Sequence, residues 1–237
     1  MSPEAWAGIY CGPAPVPADL WLRWNLDPAL LLALTLLALA LRRSRAGLLA
    51  VSVLVVAFVS PLCALSAALF SARVVHHVLL VAVAAPLLAL AWPGQKPGSA
   101  TPAFLASSAV LWAWHWPAAY DLALSSVPVY WAMQLSLLAT AGAFWRRVLH
   151  PRQAGGHAML LILGAYMQMG LLGALLTFAP DALYRVHAVA PLAWGFSPLG
   201  DQQLGGLLMW VPAGIPFAGW GALVARREWR AMAGRPA

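Results

Sequence analysis

Seven long apolar runs, separated by short arginine-bearing segments, constrain this chain more than any other feature of its sequence. They span residues 21–41, 47–65, 74–92, 102–116, 128–145, 157–179 and 203–225. A helix needs about 20 mainly apolar residues to cross the hydrocarbon core of a bilayer. Six of the runs approach or exceed that length; 102–116 is short and is expected to tilt or to lie partly in the interface. With 62% hydrophobic and 9% charged residues in a chain of 237, a water-facing surface could not be furnished at the roughly 25% charge of soluble domains. In lipid the backbone must satisfy its own hydrogen bonds, which leaves helices or a closed barrel. Barrel strands alternate in polarity over about ten residues, whereas these runs are continuous in Leu, Ala, Val, Gly and Trp. The expected fold class is all-α: a polytopic membrane bundle of seven transmembrane helices.

Charge sorts the connecting segments. Arg42, Arg43, Arg45, Lys96, Arg146, Arg147, Arg152, Arg226, Arg227, Arg230 and Arg235 fall on one side of a seven-span chain, eleven of its fourteen basic residues. Glu4, Asp19, Asp27, Asp121, Asp181 and Asp201 fall on the other. Because cytoplasmic segments collect Lys and Arg, the N-terminus is expected outside and the C-terminus in the cytoplasm. The expected domains are an outer tail (1–20), the membrane domain (21–226) and a cytoplasmic tail (227–237). The net charge of +7 is read as a topology signal, not as a nucleic-acid surface. Trp21, Trp24, Trp92, Trp116, Trp145 and Trp229 stand near run ends, where amphipathic rings anchor.

This orientation gathers His76, His77, His115, His187, Cys11 and Cys63 toward the outer face, while His150 and His157 fall near the cytoplasmic one. Imidazole, thiolate and thioether suit copper, and the sulfur ligands favour Cu(I). His77 and His115 are the first candidate ligands, with His76, Cys63 and Met209 able to complete a site; His187 is a weaker candidate. The two cysteines are equally open to inert packing or to one disulfide across the outer face. Asp201 and Gln202 open the seventh run, where Asp201 or a neighbour can cap free N–H groups, and Gly205 and Gly206 allow close helix packing. Walker, GxSxG, HExxH and Rossmann patterns do not occur.

Four segments carry a resemblance: 71–80 (SARVVHHVLL), 114–121 (WHWPAAYD), 173–184 (GALLTFAPDALY) and 197–210 (SPLGDQQLGGLLMW). They resemble the multi-spanning CtaG family of cytochrome c oxidase assembly proteins, associated with caa(3)-type oxidases. The resemblance runs from about residue 10 to 226. His77, His115, Asp201 and Met209 match its pattern. Arg73 stands where that pattern offers a histidine, and Gln134 and Leu135 stand where it offers a Glu-His pair. The resemblance implies a non-enzymatic assembly factor of the bacterial inner membrane. It would handle copper at the outer face for a haem–copper oxidase, with oxidase subunits and the bilayer as partners and no nucleotide cofactor. The alternatives are a haem-binding electron-transfer protein, with His77 and His115 as axial ligands, and a metal-free scaffold for an oxidase subunit.

Overall fold

The computed structural model describes residues 10–92 and 98–233, so Glu4, Lys96 and Arg235 of the charge argument lie outside the described residues. Every regular element described is helical: α1 (Pro28–Leu41), α2 (Arg45–Phe58), α3 (Pro61–Ala68), α4 (Phe70–Val78), α5 (Ala85–Ala91), α6 (Ala100–His115), α7 (Pro117–Ser125), α8 (Val127–Val148), α9 (Gly155–Thr177), α10 (Pro198–Trp210) and α11 (Gly214–Ala233). A π-helical segment, Leu79–Ala84, joins α4 to α5, so that Phe70–Ala91 runs as one helix of 22 residues.

Among the described residues, four helices are long and apolar enough to cross a membrane: Phe70–Ala91, α8, α9 and the run of α10 into α11, Pro198–Ala233. The α2 and α3 pair makes a fifth if its two halves, bent by 47°, form one span. α1 is apolar, but its 14 residues reach only about 21 Å at 1.5 Å per residue, short of the ~30 Å hydrocarbon core. The surface inverts the soluble pattern. Leu32, Leu36, Leu160, Leu163, Leu171 and Leu175 are exposed, while Arg73, His76, His77, Gln134 and Asp201 are buried. An apolar exterior around a polar interior has its natural solvent in lipid.

Local chemistry explains where the helices begin. Asp27-Pro28, Ser60-Pro61 and Ser197-Pro198 each place a capping side chain before a proline in the first helical turn. Asp27 accepts from the Ala29 N–H, Ser60 from Leu62 and Ser197 from Gly200. Proline fixes φ for a helix start and lacks the N–H that would go unpaired there. The first helix therefore begins at Pro28 and not at residue 21. Trp21 lies instead in a 3-10 turn, Leu20–Leu22, that precedes it. At the other end α11 continues past residue 226 to Ala233.

The π segment is tied from two sides. The Trp145 indole N–H of α8 donates to Val81 O (2.8 Å), and that of Trp220 of α11 donates to Ala82 O (2.9 Å). α10 meets α9 through glycine. A Cβ built on Gly206 would lie 2.5 Å from Gly173 O and 2.7 Å from Thr177 N, and one on Gly205 would meet the Phe70 ring at 2.4 Å. Removing those carbons lets the two backbones touch.

Candidate functional site

The polar interior is built on α4. Arg73, His76 and His77 lie within five residues, on the inward side of the helix, and all are buried. The sequence reading starts this helix at residue 74, which puts the histidine pair at its tip. The helix in fact begins at Phe70, a full turn earlier, so the pair lies about two turns in. His77 faces His115, the last residue of α6, with ring centroids 6.2 Å apart. His76 and His77 are 5.7 Å apart, and Phe58 stands edge-on to His76 at 4.9 Å. Gln134 of α8 approaches His77, its amide nitrogen 3.5 Å from Nε2. The adjacent Leu135 is 58% exposed and points away.

The hydrogen bonds assign some protons. His115 Nδ1–H donates to Leu111 O at 2.7 Å, which leaves its Nε2 with a lone pair. With His77 Nε2 accepting from Gln134, His77 Nδ1 carries the proton, and it has no partner. Both nitrogens of His76, all three nitrogens of Arg73 and Gln134 Oε1 are likewise buried and unpaired. Arg73 has no carboxylate partner among the described residues; its guanidinium lies over the Tyr130 ring at 5.3 Å. Removing one ion from water without compensation costs several kcal/mol even after relaxation. A groove of about 300 Å³ between α1, α2 and α8 runs past this cluster, with Asp27 and Gln134 as its polar lining residues.

Above the cluster lies a cover made of two connecting segments. Cys11 of the N-terminal segment is disulfide-bonded to Cys63 of α3, with Cα atoms 5.4 Å apart. This corrects the assignment of Cys63 as a copper ligand, since its sulfur has no thiolate to offer while bonded to Cys11. Tyr10 stacks on Tyr130 at 5.2 Å and donates to Asp27 at 2.6 Å. The second segment joins α9 to α10. Gln202 fastens it, accepting from Leu183 N–H (2.7 Å) and donating to Asp181 O (3.3 Å). Asp121 receives the Arg185 and Val186 N–H groups, and Tyr184 donates to His115 O. Trp194 donates to Pro15 O, joining the two segments.

Asp201 acts across helices. Ser197 caps α10, while the buried Asp201 carboxylate accepts from the Phe70 and Ser71 N–H groups (2.6 and 3.2 Å) and from the Ser71 hydroxyl. It thus caps α4, whose own N-cap residue Leu69 has no side chain able to do so. Met209, two turns further along α10, is buried, and a Cβ on Gly173 would lie 3.2 Å from its own. No group of three His, Cys, Asp or Glu residues placed to hold a metal ion occurs among the described residues.

His187, the weaker candidate, is fully integrated into the cover. Its Nδ1–H donates to Ala68 O (3.2 Å) and its Nε2 accepts from the Tyr120 hydroxyl (2.8 Å). Tyr120 was not singled out from the sequence, although it lies in the segment WHWPAAYD. Burial, aided by the field of Arg73, pushes the His187 pKa down to about 3 from its ordinary 6.5. Between those values the unfolded chain binds a proton that the folded one refuses, so stability falls as pH drops below about 6.5. At pH 5 the loss from this group is about 2 kcal/mol. Melting curves of detergent-purified protein at pH 7.5 and pH 5 are expected to separate, and His187→Gln is expected to narrow that separation by about this amount. Equal separations would exclude His187 as the source.

Fold and interior together define a polytopic α-helical membrane protein enclosing a buried arginine and imidazole cluster. Residues 34–231 match the family described as cytochrome c oxidase caa3 assembly factor (Caa3_CtaG), and the chain belongs to that family. Comparisons with curated proteins and with solved structures gave no match.

Proposed function

We propose that the protein assists assembly of a haem–copper cytochrome c oxidase from within the bacterial inner membrane, as a non-catalytic factor that handles copper at the outer face. The family match over residues 34–231 carries the assembly role. The copper reading is supported by three buried imidazoles in succession, with ring centroids 5.7 and 6.2 Å apart. His115 Nε2 and one nitrogen of the neutral His76 hold free lone pairs, and His77 offers its Nε2 once Gln134 turns away. Neutral imidazole suits copper, and Met209 is a soft thioether donor on a neighbouring helix. With Cys63 in a disulfide, the donor set reduces to His77 and His115, joined by His76 or Met209 after side-chain adjustment.

The seven-span topology is part of the same proposal. Its passes are α1, the α2–α3 pair, Phe70–Ala91, α6, α8, α9 and Pro198–Ala233. The disulfide supports an outer location for the N-terminal segment, because disulfides persist in oxidising compartments.

Purified protein reconstituted with Cu(I) under anaerobic conditions is expected to retain about one equivalent, and His77→Ala/His115→Ala less than a tenth of it. Equal copper in the two samples would remove the imidazoles from the proposal. A metal-free scaffold is the second reading, favoured by the lack of a three-residue metal group among the described residues. Oxidase activity in cells separates them, since a scaffold requires the helix contacts and not the imidazoles.

A further inference from the structure

The buried side-chain atoms that lack partners among the described residues belong to Arg73, His76, His77 and Gln134, and to no other residue. They do not scatter through the core as errors of packing would. His76 and His77 are neighbours, His77 touches Gln134, and Arg73 precedes them by one turn. Their chemistry is lopsided. Arg73 presents a guanidinium of five N–H groups with no acceptor, and His77 Nδ1 adds another donor. The acceptors left over are Gln134 Oε1 and one nitrogen of His76. The cluster also carries a full positive charge, and the described ion pairs, Arg23–Asp19 and Arg227–Glu228, leave it uncompensated. Asp201, the buried carboxylate that α10 places at the start of α4, is engaged by the Phe70 and Ser71 N–H groups.

We propose that Arg73, with His77 and His76, forms a buried binding site for a small monovalent anion of the chloride class. An anion is what the cluster lacks in both respects: it accepts from several N–H donors at once, and it balances the guanidinium charge where lipid and protein cannot screen it. Burial selects for size. Arg73 and His76 have no accessible surface, so a carboxylate borne on a partner helix cannot reach them without opening the bundle, whereas a spherical ion can be enclosed. The aromatic face of Tyr130 closes one side of the guanidinium, its ring centroid 5.3 Å away. The site does not depend on copper binding. Its failure would leave the copper proposal standing, and the reverse also holds.

The test uses the full-length protein in detergent, exchanged between sodium gluconate and sodium chloride at constant sodium concentration. Chloride is expected to raise the melting temperature by several degrees along a saturating curve, as a ligand of the folded state does. Arg73→Gln is expected to lose the chloride response. Arg73→Lys keeps the charge with fewer donors, and is expected to retain the response at a several-fold higher midpoint. Line broadening of the chloride-35 resonance by wild-type protein, relieved by added bromide, reads binding without any variant and so survives poor folding of the glutamine form. Identical melting in gluconate and chloride, with no line broadening, would overturn the site and leave water as the partner of these donors. A chloride response undiminished in folded Arg73→Gln would overturn it equally, by placing the ion elsewhere.

Discussion

Gly206→Ala is expected to destabilise the protein by at least about 3 kcal/mol, the upper end of ordinary overpacking, and to reduce the folded fraction recovered from membranes severely. The added carbon would lie 2.5 Å from Gly173 O, 2.5 Å from Thr177 Oγ1 and 2.7 Å from Thr177 N. Two of those three atoms are backbone, so no rotamer change relieves the contact; α9 and α10 must separate. Separation propagates, because the preceding residue, Gly205, packs on the Phe70 ring, and Phe70 begins the helix that carries Arg73, His76 and His77. Gly142→Ala in α8 supplies the control. That carbon meets nothing within 4 Å, and intrinsic helix propensity favours the alanine by about 1 kcal/mol. Gel-filtration recovery and melting temperature of the two variants are the measurements. Similar behaviour in both would mean that the α9–α10 contact contributes little.

Loss of the Cys11–Cys63 disulfide should produce an effect of similar size by a different route. The bond closes a separation of 52 residues, and loop-closure entropy on that scale is worth about 4 kcal/mol. Helix retained in the unfolded state within lipid or detergent makes this an upper figure. The Cys11→Ser/Cys63→Ser protein is expected to melt roughly 10 °C lower than wild type, and reductant is expected to bring wild type to the same value. The tether also holds Tyr10 against Tyr130, so its loss should increase labelling of His76 and His77 by diethylpyrocarbonate. Unchanged melting and labelling would show that the N-terminal segment is held by its other contacts alone.

The apolar runs and their prolines made the helices legible, because lipid imposes one backbone solution and Ser-Pro or Asp-Pro pairs mark where it starts. The error at residue 21 came from reading hydrophobicity before capping. Trp21 and Leu22 are apolar yet exposed, and Asp27-Pro28 is the true start. The site was legible as a list of histidines and not as an arrangement. That Asp201 would cap α4 rather than its own helix depends on the close approach of α10, which a linear sequence does not show. His187 does lie in the segment between α9 and α10, as the sequence places it, but nothing local marks the buried Tyr120 hydroxyl as its partner. Arg73 was noted as a departure from a pattern. Its isolation from any carboxylate among the described residues is visible only once the helices are packed.

The π turn at Leu79–Ala84 has a bearing on how the imidazoles are aimed. A single-turn π segment is in effect an α-helix with one residue added, and one residue is about 100° of rotation. The half of the helix that carries His76 and His77 is therefore out of phase with the half that follows, by an amount set by a count of residues and not by packing strength. Trp145 and Trp220 grip the turn at Val81 and Ala82, so α8 and α11 together hold the turn and, with it, the bearing of the two rings. The bearing of the imidazoles is thus fixed by one inserted residue and held by two indole hydrogen bonds from neighbouring helices.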